Sequence, residues 1–177
     1  MTIARQVRVT TITVHPSSSV RMPGMKTQLD HVGIAVHSLA EAIPAFEAVL
    51  GVTASEVEVV ADQKVRVVFL KAGEPGIELL ESTGPDGPIG KFLAKRGEGI
   101  HHLSFEVDDL NAALARCRAA SLNLIDEQPR KGAAGKLIAF LHPKSTNGVL
   151  IELSQTIAPP PQSSRPPADR SPIQSSD

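Results

Sequence analysis

Cysteine is nearly missing from this chain, and tryptophan and tyrosine are missing altogether: 177 residues hold one Cys, five Phe and no Trp or Tyr. A single cysteine excludes an intramolecular disulfide and suits a reducing compartment. That residue, Cys117, stands in Leu110-x-x-Ala113-Leu114-x-x-Cys117, the spacing of a helix's buried face, which favours core packing over a reactive thiol. No apolar run approaches the ~20 residues a membrane span needs, and the N-terminus has no secretory apolar segment. The formal charge of −1 gives no pull toward nucleic acid or a membrane surface. Acids are absent before Asp30, while Arg5, Arg8, Arg21 and Lys26 make the leading stretch basic. With its hydroxyl residues it reads as a mitochondrial transit peptide, or as a leader ahead of a working start at Met22 or Met25. The compartment expected is the cytoplasm, or the mitochondrial matrix if the leader is a transit peptide. The tail sums to zero, which leaves the body at about −5. An acidic body that handles an anionic substrate needs local basic patches or a metal cation.

Residues 1–27 are accordingly set apart as leader or transit peptide. The stretch 156–177, with six prolines and five serines, is set apart as a disordered tail. Between them, 28–155 form one domain of short strands and amphipathic helices. The run 29–36 is apolar and β-branched, suited to a strand buried on both faces. Ser38 and Glu41 follow as a capping box, then Leu39, Ile43, Phe46 and Leu50 at helical spacing, with Gly51 as terminator and Pro44 predicted to kink the helix. Strands are predicted near 54–60, 65–71 and 76–80, and a short helix over 88–96 closed by Gly97. The second half repeats the order: a strand over 99–107, a helix over 109–120, then strands near 122–126, 136–141 and 148–154.

The repeat extends to individual residues. Asp30-His31-Val32-Gly33-Ile34-Ala35-Val36 aligns without gaps on His101-His102-Leu103-Ser104-Phe105-Glu106-Val107, and Gly76-Ile77-Glu78-Leu79-Leu80 echoes Leu150-Ile151-Glu152-Leu153-Ser154. Modules of about 28–82 and 99–155 result, each too small for a good core alone, so they are expected to pair. His31 and His102 occupy the first strand of each half, Glu78 and Glu152 the last. Each interrupts an apolar strand, where an unpaired charge is costly. Two imidazoles and two carboxylates converging between the halves would make a divalent-metal site fit for Co²⁺, Ni²⁺, Mn²⁺, Fe²⁺ or Zn²⁺, with positions open to substrate. The alternative for any one of them alone is an ordinary strand residue; the matched placement favours the metal site.

These motifs, together with Ile89-Gly90-Lys91-Phe92-Leu93-Ala94-Lys95-Arg96-Gly97-Glu98-Gly99-Ile100, Ile125-Asp126-Glu127-Gln128-Pro129-Arg130 and Phe140-Leu141-His142-Pro143-Lys144-Ser145, resemble the vicinal-oxygen-chelate (glyoxalase) superfamily and, within it, the methylmalonyl-CoA epimerase branch. The likeness runs over about 29–155. It implies an α+β fold of paired βαβββ modules in a cupped half-barrel sheet, one divalent metal (Co²⁺ favoured) on His31, Glu78, His102 and Glu152, and a homodimer. Its implied substrate is methylmalonyl-CoA, epimerised at C2 in propionate metabolism by proton abstraction and return through an enolate.

Two acid/base groups should then flank C2. Glu152 is the first, since the family casts the matching glutamate as ligand and base. Some relatives carry the second on the third strand, where this chain has Val67; Glu78 is the symmetric substitute and Asp62 a weaker one. Arg130, Lys131, Lys136 and Lys144 either contact the CoA phosphates or form only a solvated charged loop, and close relatives place a histidine at Ala134. His101 should face away from His102 by strand alternation, and His15 and His37 read as surface residues. The rivals of the same fold are a lactoylglutathione lyase and a metal-free binding or resistance protein. A ring-cleaving dioxygenase is disfavoured by the fourth ligand and the lack of Tyr and Trp.

Overall fold

The computed structural model describes residues 26–157. The leader and tail expected at either end lie outside these residues, apart from the innermost two of each.

Leu29–Val36 belongs to a central strand, β1 (Thr27–Val36), whose alternate residues serve opposite faces. Ser38 ends it by capping helix α1 (Leu39–Leu50): its hydroxyl accepts from the Glu41 amide at 3.3 Å. Glu81 takes a further free amide of the first turn, that of Leu39, at 2.8 Å. Gly51, at φ 68°, adopts the left-handed conformation that stops α1. Then come β2 (Glu58–Val60), β3 (Val65–Leu70) and β4 (Gly76–Ser82), and helix α2 (Pro88–Arg96) with proline in its first turn. The second half runs β5 (Gly99–Val107), α3 (Leu110–Ala119), β6 (Arg130–Lys131), β7 (Leu137–Leu141) and β8 (Ile151–Gln155). Asp109 caps α3 through the Ala112 amide at 2.9 Å.

The eight strands form one curled sheet in the order β2-β3-β4-β1-β5-β8-β7-β6. β1 pairs parallel with β4 and β5 parallel with β8, and β1 joins β5 antiparallel at the centre. The two βαβββ modules are thus mirrored across the β1–β5 seam, as the repeat predicts. Helix α1 packs Leu39, Ile43 and Phe46 on Val36, Val68, Leu70 and Leu79. Helix α3 packs Leu110, Ala113 and Leu114 on Val107, Ala139, Leu141 and Leu153, with Cys117 at the cluster's edge. Burial pushes the Cys117 thiol up, in keeping with a packing role. Each such leucine contributes roughly 1.5–3 kcal/mol. A third cluster, Ala35, Val65, Val67, Leu80 and Ile89, fills the inner side of the first module under α2. Among the described residues no helix is long and apolar enough to cross a membrane.

The strand expected over 122–126 does not form. Leu124 makes one isolated bridge to Leu141, and the strand in this place of the repeat is β6. Polar side chains occupy the ladder positions: Asp126 accepts the Phe140 amide at 2.9 Å, and Ser145 accepts the Asn123 amide at 2.7 Å.

Candidate active site

The inner face of the sheet is set by alternation. On β4, Ile77 and Leu79 turn toward α1 while Glu78 and Leu80 turn inward. On β8, Leu153 joins the α3 cluster while Glu152 turns inward. His31 and His102 approach from β1 and β5 on either side of the seam. All four are buried, none more than 6% exposed.

Their functional atoms meet. His31 Nε2 lies 3.1 Å from His102 Nε2, and Glu78 Oε2 lies 3.4 and 3.5 Å from these two nitrogens. Glu152 Oε1 is 3.8 Å from His31 Nε2. His31, His102 and Glu152 can each offer one ligand atom with all three within 4.8 Å of one another, the geometry of a metal-binding cluster. Glu78 borders the same point from the opposite half.

The surroundings repeat the symmetry and then break it. Phe69 is the cross-strand partner of Glu78, and Phe140 that of Glu152. Each ring meets the imidazole of its own half edge-on, at 5.9 Å for His31 and 5.5 Å for His102. Beside Glu152, however, stands Ser104, fully buried, whose hydroxyl donates to Oε1 at 2.8 Å. The matching position beside Glu78 is Gly33, which has no donor side chain.

Electrostatics follow from burial and these contacts. Burial, reinforced by Glu78, pushes Glu152 up to about 7 against the opposing pull of His31, Ser104 and Arg130. For His31, burial works against the charge. The Asp30 hydrogen bond and then Glu78 and Glu152 outweigh it, raising the ring to about 9. Asp30 in turn is held at about 2, chiefly by its bond to His31. Burial and the neighbouring rings keep His102 well below the usual range. Two imidazoles 3.1 Å apart disfavour a second positive charge beside the first. Two ring nitrogens and two buried carboxylates meeting at one point fit a divalent cation, which would satisfy all four groups.

A cleft of about 380 Å³ opens over these residues. Its walls are apolar (Val65, Val67, Leu80, Ile89, Ile138, Leu150), and cationic side chains stand at Lys71, Arg130 and Lys136. Of the four residues expected at the CoA phosphates, Arg130 and Lys136 line the cleft, while Lys131 and Lys144 are exposed and do not. Arg130 bonds Asp126 at 3.1 Å and lies over the Phe140 ring. Lys136 is drawn to Asp30 at 2.8 Å. Val67 lines the cleft without a titratable group, and Asp62 is exposed outside it.

Strand alternation does not govern His101. It lines the cleft beside His102, with Nδ1 atoms 3.1 Å apart and its ring edge-on to Phe92. Asp30, Ser104 and Phe69 with Phe140 likewise join the site, although the sequence motifs did not point to them. All sit at matching or substituted positions of the repeat, so comparison of the halves beyond the four ligands contained the signal.

Residues 30–140 match the family described as the Glyoxalase/Bleomycin resistance protein/Dioxygenase superfamily. Over 129 residues the chain is 40% identical to the mitochondrial methylmalonyl-CoA epimerase of Homo sapiens, covering 72% of this chain and 73% of that protein. It is 39% identical over 130 residues to the ethylmalonyl-CoA/methylmalonyl-CoA epimerase of Cereibacter sphaeroides, covering 72% of this chain and 97% of the other. A single-residue variant of the Streptomyces coelicolor methylmalonyl-CoA epimerase, solved with 2-nitronate-propionyl-CoA, superposes with a TM-score of 0.71 at 38% identity, over 74% of this chain and 95% of that one.

Proposed function

The chain belongs to the glyoxalase/bleomycin resistance protein/dioxygenase superfamily, and on that footing we propose that it is an isomerase that interconverts the two C2 epimers of methylmalonyl-CoA. The observation that carries this reading is the facing of Glu78 and Glu152 from opposite halves, across the point where His31 and His102 meet. Epimerisation needs one group to take a proton from C2 and another to return it on the other face. Two carboxylates on mirrored strands supply that pair. Identities of 39–40% to proteins named for this activity support it.

In this reading Glu152 removes the C2 proton on one face. Its carboxylate lies buried at the floor of the cleft, where a bound substrate would present C2. Ser104 holds Oε1, which fixes the carboxylate's orientation. Glu78 serves the other face. Val65, Val67 and Leu80 keep water from the carbanionic carbon, and Arg130 at the cleft is placed to meet an anionic part of the thioester. His31, His102 and Glu152, with Glu78 as fourth, would hold one divalent ion, which supplies positive charge for the oxygen on which negative charge develops. Co²⁺ is the favoured ion of those this donor set accepts. A homodimer, and residence in the cytoplasm or mitochondrial matrix, complete the proposal.

The test is a comparison of two reactions on the metal-loaded chain. Epimerisation of methylmalonyl-CoA with no isomerisation of a glutathione hemithioacetal is the expected result. The reverse would assign a lactoylglutathione lyase.

A further inference from the structure

Two β-bulges, one in each half, shape the surroundings of the two histidines, and the role they imply rests on the metal site of the proposed function. Along the β1–β5 ladder the register slips once between Leu29 and His31 and once between Gly33 and Ile34. The extra residue is Asp30 on β1 at the first slip and His101 on β5 at the second. These are matching positions of the repeat. A bulge suspends strand alternation, so the residue before each histidine turns to the same side as the histidine itself. Asp30 Oδ2 thereby meets His31 Nδ1 at 2.8 Å, and His101 Nδ1 meets His102 Nδ1 at 3.1 Å.

The two contacts are chemically unequal. A carboxylate only accepts, so the proton of the first contact belongs to His31 Nδ1. Asp30's other oxygen receives Lys136 Nζ at 2.8 Å, and Lys136 also faces Glu106 Oε1 at 3.7 Å. The carboxylate is therefore fixed at both oxygens, by the adjacent His31 and by Lys136 from the other half. His101 sets its Nδ1 against that of His102 at 3.1 Å and packs edge-on to Phe92.

We propose that Asp30 is a positioning residue of the metal site: it holds His31 in the Nδ1–H form with Nε2 turned to the ion, Lys136 secures Asp30, and His101 sets a ring nitrogen against His102 as the weaker counterpart. Partners of this kind orient the ligand and raise its donor strength, and their loss typically costs about 10- to 100-fold in metal affinity. Lys136 thus serves the metal site rather than a substrate phosphate.

Titration of the full-length metal-free chain with Co²⁺ against a chelating dye, with the visible Co²⁺ spectrum recorded in parallel, tests this without reference to turnover. Asp30→Ala is expected to weaken Co²⁺ binding about 10- to 100-fold and to alter the ligand-field bands. Asp30→Asn keeps an acceptor oxygen and is expected to recover most of that loss, and His101→Asn to cost less than Asp30→Ala. Wild-type affinity and spectrum in Asp30→Ala would overturn the inference while leaving the metal site standing, and Asp30→Asn as weak as Asp30→Ala would overturn the tautomer assignment. A wild-type chain that binds no Co²⁺ would overturn the metal reading and the inference with it.

Discussion

The His102 imidazole fills the space that a side chain on Gly33 would need. A Cβ built on Gly33 would lie 2.8 Å from His102 Nε2 and nearer still to Cε1 and Nδ1. The histidine of one half can reach the seam only because the other half supplies a residue without a side chain there. Gly33→Ala is therefore predicted to push the His102 ring away from His31 while leaving the strands paired. Metal affinity should fall about tenfold or more, the scale of a displaced ligand, with an unchanged far-UV circular dichroism spectrum. Unchanged affinity would show that the ring can move aside without cost.

In the proposed reaction Glu78 and Glu152 each serve one face of C2. Replacing either by Gln should slow deuterium exchange of one epimer by a factor on the order of 10²–10⁴ and leave the other epimer's exchange less affected. The two variants should show opposite preferences. Equal loss of both exchanges in both variants would contradict separate roles.

Arg130 lines the cleft, whereas Lys144 is exposed outside it. Arg130→Ala should raise KM for the CoA thioester about tenfold, the scale of one charge-assisted hydrogen bond, and Lys144→Ala should leave KM within about twofold. Steady-state kinetics on both variants checks this. An effect of Lys144→Ala as large as that of Arg130→Ala would move the phosphate contact to the exposed turn.

Burial lowers His101 from its ordinary 6.5 to about 4. Between those values the unfolded chain binds a proton that the folded chain refuses, so stability falls as pH falls there. The contribution is intact above pH 6.5 and is lost as pH drops through about 4, a difference on the order of 3 kcal/mol. Urea unfolding of the metal-free chain at about pH 7 and about pH 4.5 should show this loss in the wild type and a smaller one in His101→Gln. The subtraction separates it from His31 and Glu152, which are shifted the other way, and from His102, which is shifted the same way. Parallel losses in the two proteins would contradict a buried neutral His101.

Much of this site could be read from the chain because it is written twice. His31, Glu78, His102 and Glu152 stand at matching points of two similar segments, and Ser38 and Asp109 mark their helix starts by residues that cap within one turn. What could not be read depends on partners far along the chain. Alternation within β5 turns His101 outward; the bulge that turns it inward is a property of its pairing with β1. Lys136 looks like a free cation in a glycine-rich loop until the fold sets it against Asp30, 106 residues away. The missing strand at 122–126 has the same origin, since the Asp126 carboxylate takes a ladder position that only β7 defines.

At the centre of the proposed function stands proton transfer at C2 of methylmalonyl-CoA, dependent on a metal that His31, His102, Glu78 and Glu152 would hold. Proton NMR of methylmalonyl-CoA in D₂O, with the chain first stripped by chelator and then supplied with Co²⁺, measures it without an intermediary. Slow C2 exchange is predicted with the stripped chain, and rapid exchange with scrambled configuration once Co²⁺ is added. A folded, Co²⁺-loaded chain that leaves the C2 proton in place would contradict it.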